Sequence, residues 1–244
     1  MSSRPVPILM YHNIARVPRE IERYRSLYVS PARFARQMSL LHGLGYRGLS
    51  MRDAMPHLRG EKAGKVVVIT LDDGYADNLE SALPVLQRHG FTATCYVVSS
   101  RVGQYNRWDA SKLGICKPLM SPAQLQEWTA AGQEVGAHTR SHPHLTRCND
   151  SELRDEVLGS RAELEDLLGQ PVTQFCYPYG DHDPRVVQAA IEAGYHAATT
   201  TRRGRARPSG SPGLWELPRI QIARHHLLPQ FAWRSLSGYE DRRR

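Results

Sequence analysis

Apolar runs of four to six residues alternate along this chain with segments whose apolar positions recur at helical spacing. The first run, 6–14 (VPILMYHNI), reads as a buried strand that ends in Tyr11, His12 and Asn13. The next segment, 30–46, opens with Ser30 as an N-cap and Pro31 at the first helical position, carries Phe34, Met38, Leu40 and Leu41 at helical spacing, and stops at Gly43. Further strands are predicted at 65–74 (KVVVITLDDG), at 92–99 (TATCYVVS), in a short run ending at His138, at 172–180 (VTQFCYPYG) and at 214–222 (LWELPRIQI). Helices are predicted between them: 76–91 ends at Gly90, 121–132 starts on Ser-Pro, 151–171 sets Leu153, Val157, Leu164 and Leu168 on one face, and 183–200 gives one more helix and strand. Buried strands joined through helices mean parallel strands covered on the outside by helices. About six or seven such units predict an α/β fold of the barrel type, short of eight units.

Composition narrows the class without naming a function. Hydrophobic residues at 41% and charged residues at 23% of 244 suit a globular chain with a substantial core. No linker divides it: the Gly/Pro/Ser/Arg-rich stretch 201–213 lies too near the C-terminus to separate two cores, so a single domain over 1–244 is expected. No run approaches the length of a membrane span, and the N-terminal apolar run is too short for a signal peptide, which predicts a cytoplasmic location. Cys95, Cys116, Cys148 and Cys176 are widely spaced and form no CxxC pair, so neither a zinc ribbon nor a disulfide scaffold is suggested. The net charge of +8 rests on 32 basic residues, of which only Lys62, Lys65, Lys112 and Lys117 are lysines. The arginines are mostly dispersed and no recognition motif accompanies them, so nucleic-acid binding is not expected.

The strand ends carry the chemistry. In a barrel the reacting groups gather at the C-terminal ends of the strands. Here those ends bear His12, then Asp72 and Asp73, then His138 and His142, then Tyr177 to Tyr179, and finally Arg219. Asp72 and Asp73 would be costly to bury as an unpaired couple, because like charge and desolvation both oppose ionisation. A divalent cation removes that conflict: one carboxylate binds it and the other remains a base, although Asp-Asp-Gly is also an ordinary turn composition. His138 and His142 are four residues apart, but Pro143 disfavours a helical His142, which places them in a turn with Thr139 and Ser141 available to brace it. Two His and one Asp form a three-ligand set that leaves room for water and substrate, as in catalytic zinc sites; His144 is better read as a surface histidine.

Three segments in this order, TLDDGYADN, GAHTRSHPHL and FCYPYGDHDPRVVQAAIEAGYHAATT, resemble the polysaccharide deacetylase family, also called the NodB-homology or carbohydrate esterase 4 family. The resemblance spans roughly 6–222. It implies a distorted, incomplete (β/α) barrel and metal-dependent removal of acetyl from N-acetylated sugars, less often from O-acetylated ones. One divalent ion, zinc by preference, is the implied cofactor, and an N-acetylated glycan the implied partner. Carried onto this sequence, it makes Asp72 the general base and Asp73, His138 and His142 the metal ligands. It also makes the Tyr179 backbone N–H an oxyanion donor.

The sequence departs from the family pattern twice. The arginine that orients the catalytic carboxylate in many members is replaced by Cys176, and Arg219 is the candidate to take its place, because a planar fork suits a carboxylate. Many members also draw their general acid from a C-terminal Leu-x-His. His225 and His226 match that pattern poorly, whereas LMYHNI resembles the first strand of the poly-β-1,6-N-acetylglucosamine deacetylase branch, so His12 is preferred as acid. Trp215, Tyr177 and Tyr105 are candidate sugar-stacking surfaces, and Cys176 reads as a packed residue rather than a nucleophile. An O-acetyl esterase, a hydrolase of non-sugar amides and a non-catalytic glycan-binding barrel are the alternatives.

Overall fold

The computed structural model describes residues 4–21, 23–108, 110, 116–208 and 213–243. Among the described residues eight strands run parallel: β1 Ile8–Tyr11, β2 Arg47–Leu49, β3 Val66–Leu71, β4 Thr94–Val97, β5 Glu134–Ala137, β6 Gln174–Cys176, β7 Ala197–Arg203 and β8 Leu217–Gln221. β1 pairs with both β8 and β3, so seven strands close into a ring and β2 is left outside it on β3. The barrel is one strand short of eight and still closed.

Strand β3 shows why the ring has two cores. Val67, Ile69 and Leu71 alternate with Val66, Val68 and Thr70, as the period of two requires. The first set joins Phe34, Met38, Leu41 and Leu86 in a cluster between the ring and its helices. Val66 and Val68 go with Ile8, Tyr96, Cys176, Ala197 and Leu217 in a smaller cluster. At the level of Thr70 the alternate positions become polar. There the barrel's inner lining turns from packing to chemistry.

Helix α1 (Pro31–Gly43) begins and ends where its caps predict, with Phe34, Met38 and Leu41 buried and Leu40 only partly so. The 76–91 and 151–171 segments are less regular than their periodicity suggests. A π-helical turn at Asn78–Ala82 precedes α3 (Leu83–Arg88), and another at Asp155–Gly159 interrupts the long helix before Ser160–Leu168. Three elements were not foreseen: strand β2, helix α2 (Met51–Leu58) and a C-terminal helix, α8 (Leu228–Leu236). Gly48 hides β2, since a Cβ there would meet Phe91 at 2.5 Å and only glycine fits. Pro56 inside α2 masks its pattern in the same way. No helix among the described residues is long and apolar enough to cross a membrane.

Candidate active site

The C-terminal strand ends surround a cleft of about 460 Å³ whose walls include His12, Asp72, Asp73, His138, His142, Tyr179 and Arg219. The two carboxylates, His12, His138, His142, Tyr179 and Arg219 are therefore brought to one place, without His225, His226, Trp215 or Tyr105. The backbone there is unusual: Tyr24, Asp73, Thr139, His142 and Tyr179, the five non-glycine residues with positive φ among those described, all lie at the cleft or in its loops. Left-handed non-glycine backbone costs free energy and concentrates where side chains must be aimed.

Asp73 leaves β3 at φ 78° and sends its carboxylate toward two imidazoles. Its Oδ1 is 3.5 Å from His138 Nε2 and 3.4 Å from His142 Nε2. One donor atom from each residue falls within 4.8 Å of the others. His138 Nδ1 is 2.7 Å from the Cys176 carbonyl, a partner that takes an N–H and so leaves the lone pair on Nε2, facing Asp73. The turn between the histidines is braced as expected by Thr139, whose Oγ1 accepts the His142 N–H at 2.9 Å. A further brace is Glu156, which accepts the backbone N–H groups of Arg140 and Ser141. Burial raises the Asp73 pKa, but hydrogen bonding to His142 and the charges of His142, His12 and His138 bring it well below the ordinary carboxylate value. Donor set, tautomer and charge all fit a divalent cation.

A second group of donors, Asp72, His138 and Cys176, is equally close, but it is otherwise engaged. Arg219 takes both Asp72 oxygens, with Nη1 to Oδ1 at 2.7 Å and Nη2 to Oδ2 at 2.8 Å. Its remaining donors reach the Thr200 carbonyl at 2.9 Å, Thr70 Oγ1 at 3.1 Å and Cys176 Sγ at 3.2 Å. Arg219 lies in the middle of β8, not at its end as expected, and is fully buried. Burial pushes the Cys176 thiol far up, so it is protonated and packs against the guanidinium. The small residue on β6 leaves room for the large cation from β8. Burial alone would raise the Asp72 pKa, yet Arg219, with His12 and His138, brings it below its ordinary value.

His12 Nε2 stands 3.9 Å from Asp72 Oδ2. The backbone around it is clamped by residues the sequence reading passed over: Asn78 Nδ2 donates to the His12 carbonyl at 2.8 Å, and Asp77 Oδ1 accepts the Ile14 N–H at 2.9 Å. Lys117 completes the clamp with an ion pair to Asp77 at 2.9 Å. The one sequence signal was the ADN that follows DDGY. By contrast, His225 and His226 line other hollows, and His226 Nδ1 accepts the Ala223 N–H while burial and nearby arginines lower its pKa to about 4.

The profile of the polysaccharide deacetylase family matches residues 59–198, more than half of the chain. The chain belongs to the polysaccharide deacetylase family. Among its relatives, YxkH of Bacillus subtilis is 30% identical over 220 residues, covering 89% of this chain and 71% of that one. Peptidoglycan-N-acetylglucosamine deacetylase PgdA of Listeria monocytogenes is 27% identical over 55% of this chain, which spans only 26% of PgdA. Among solved structures, Streptococcus pyogenes deacetylase PplD in complex with acetate superposes with a TM-score of 0.84 at 25% identity, covering 97% of this chain and all (100%) of PplD.

In this member of the family several aromatics sit elsewhere than expected. Trp215 is not among the residues lining the cleft. It is partly buried against the core, with its indole N–H donated to the Tyr195 carbonyl at 3.1 Å. Tyr177 does line the cleft, but it is buried and its hydroxyl is tied to the Trp215 carbonyl at 2.9 Å. Tyr105 is exposed outside the cleft walls. His144, read as a surface histidine, is half exposed and stacks on Tyr179 with ring centroids 4.3 Å apart. Trp108 stacks on His142 at 4.7 Å, a contact from the rim segment that sequence periodicity does not reveal.

Proposed function

We propose that this polysaccharide deacetylase removes acetyl groups from N-acetylglucosamine-type glycans, using one divalent cation held by Asp73, His138 and His142, with zinc the preferred ion. The observation that carries the reading is the adjacency of two carboxylates with opposite engagements: Asp73 faces two imidazoles, while Asp72 is held by Arg219. Neighbouring acids kept in different roles by their surroundings are the pattern of acid and base assignment in enzymes. The cation, when bound, polarises the acetyl carbonyl and lowers the pKa of a water molecule.

The other roles fall to this chain's own groups. Asp72, kept ionised and oriented by Arg219, takes the proton of the attacking water. The backbone N–H of Tyr179 stabilises the oxyanion that develops on the acetyl oxygen. His12, on the same cleft and next to Asp72, protonates the amine as the C–N bond breaks. PgdA, a peptidoglycan-N-acetylglucosamine deacetylase, supports the N-acetylglucosamine substrate, and PplD, a deacetylase whose structure holds acetate, supports a deacetylase reading of this cleft.

The test is acetate release from chitooligosaccharides and their β-1,6-linked counterparts, with metal content measured on the same preparation and Asp72→Asn as control. Stoichiometric metal and turnover that the substitution abolishes are expected. Turnover that survives Asp72→Asn, or that is confined to O-acetyl esters, would overturn the reading.

A further inference from the structure

Three neighbouring hollows share walls. The catalytic cleft is bounded by Ser26 and Gln221, and both residues also bound a neighbouring hollow of about 310 Å³ that contains Arg203, His225 and Arg243. His225 and Arg234 are in turn common to that hollow and to a third of about 510 Å³, which ends at Trp233 and Tyr239. Each depression thus adjoins the next, from the candidate catalytic carboxylates to helix α8.

The far end is built unlike an ordinary surface. Helix α8 packs inward through Phe231 and Ser235, yet Trp233 is 61% exposed and Leu227 59%. The Tyr239 ring lies 6.2 Å from Trp233 and has the guanidinium groups of Arg234 and Arg243 against it, at 5.8 and 5.3 Å. An exposed aromatic face flanked by fixed polar groups matches a sugar, which presents C–H bonds on its face and hydroxyls at its edge. The middle hollow carries a charge preference. Arg203 and Arg234 both pair with the one buried carboxylate of Glu240, and Arg243 bonds the Tyr239 hydroxyl, so guanidinium groups outnumber the carboxylate. Such a passage favours neutral N-acetylated sugars over protonated glucosamine.

We propose that the three hollows form one glycan-binding track: sugars beyond the one being deacetylated cross the Ser26–Gln221 saddle, and one of them stacks on Trp233. The proposal rests on the deacetylase reading for the identity of the glycan. It makes the preferred substrate a long, N-acetylated chain, and it makes the deacetylated product the weaker ligand.

The experiment measures binding, by calorimetry, to the full chain carrying Asp72→Asn, which holds substrate unreacted. The probes are N-acetylglucosamine disaccharide and hexasaccharide in both the β-1,4 and β-1,6 linkage, and the glucosamine hexasaccharide. With at least one linkage the N-acetylated hexasaccharide binds about tenfold or more tighter than the disaccharide. Trp233→Ala reduces that ratio roughly three- to tenfold, and Trp233→Phe restores most of it. Because Trp233 is exposed, its loss leaves the core intact. Equal affinity for short and long chains in both linkages, a ratio indifferent to Trp233→Ala, or tighter binding of the glucosamine chain would overturn the track. Tight binding of the hexasaccharide by a wild-type protein that releases no acetate would keep the track and remove the deacetylase reading. Acetate release from short and long chains alike, with no length effect on binding, would do the reverse.

Discussion

Arg219 grips Asp72 with two parallel hydrogen bonds of 2.7 and 2.8 Å at the floor of the cleft, where both side chains are almost fully buried. The pair fixes the rotation of the proposed base as well as its charge. Arg219→Lys keeps the charge and loses the fork, so it is expected to lower kcat/KM on the order of 100-fold through misplacement of Asp72. Arg219→Met strands a buried carboxylate and should destabilise the fold by roughly 3–5 kcal/mol. The double variant with Asp72→Asn should recover much of that loss, because no charge is then left unpaired. Denaturant unfolding checks the cycle, and additive single losses would show that the pair is not coupled.

Metal binding gives the second prediction. Ligation needs the Nε2 lone pairs of His138 and His142 and the Asp73 carboxylate, so His142→Ala should leave the purified protein nearly metal-free while wild type holds one ion per chain. Elemental analysis measures this without any substrate. His138 is also bonded to the Cys176 carbonyl, so His138→Ala is expected to cost stability in addition to metal. A His142→Ala protein that retains a full equivalent of metal would move the site away from Asp73.

What the sequence disclosed about this site follows from how local each feature is. Asp72 with Asp73, and His138 with His142, are close neighbours in the chain, so a strand end and a turn suffice to suggest their chemistry. Arg219 was found by asking what could replace the arginine missing at Cys176, although its place in mid-strand depends on ring closure that no single segment encodes. The clamp on His12 lay out of reach, because Asn78 bonds a carbonyl 66 residues away. Trp215 shows the same limit: its position near a strand is local, but its place off the cleft walls, with the indole N–H on the Tyr195 carbonyl, depends on another unit. Strand β2 was missed because the glycine that packing demands at position 48 erases the strand pattern.

The clamp predicts a particular kind of loss. If Asn78 acts by holding the His12 backbone, Asn78→Ala should depress the hydrolysis of acetamides, whose amine leaves only when protonated. It should spare aryl acetates, whose leaving group needs no proton. A drop of about 10- to 100-fold in kcat for the amide, with a much smaller change for the ester, is expected from both Asn78→Ala and His12→Ala. In a His12→Ala background the Asn78 substitution should add little. Equal losses on amide and ester would indicate a general disturbance of the cleft instead, and an unaffected His12→Ala would return the acid role to another group.

The last prediction concerns the opposite end of the barrel. Glu134 opens β5 with its carboxylate buried, accepting the Arg52 N–H at 2.9 Å and the Thr94 hydroxyl at 2.6 Å near the start of α2. Burial outweighs those hydrogen bonds and raises its pKa from 4.5 to about 7. In the unfolded chain the same group titrates near its ordinary value of about 4.3. Between these limits the folded state binds the extra proton, so stability falls as pH rises from about 4.5 to about 7 and stays lower above that window. The loss is on the order of 3 kcal/mol for a shift of this size. Glu134→Gln keeps an oxygen acceptor and cannot ionise. It should therefore match wild type near pH 5 and exceed it near pH 8, where the thermal midpoint should rise by roughly 5–10 °C. Thermal unfolding of both proteins across that range provides the measurement. Parallel curves would mean that Glu134 is already ionised when folded, and that the helix start and its two donors hold the charge after all.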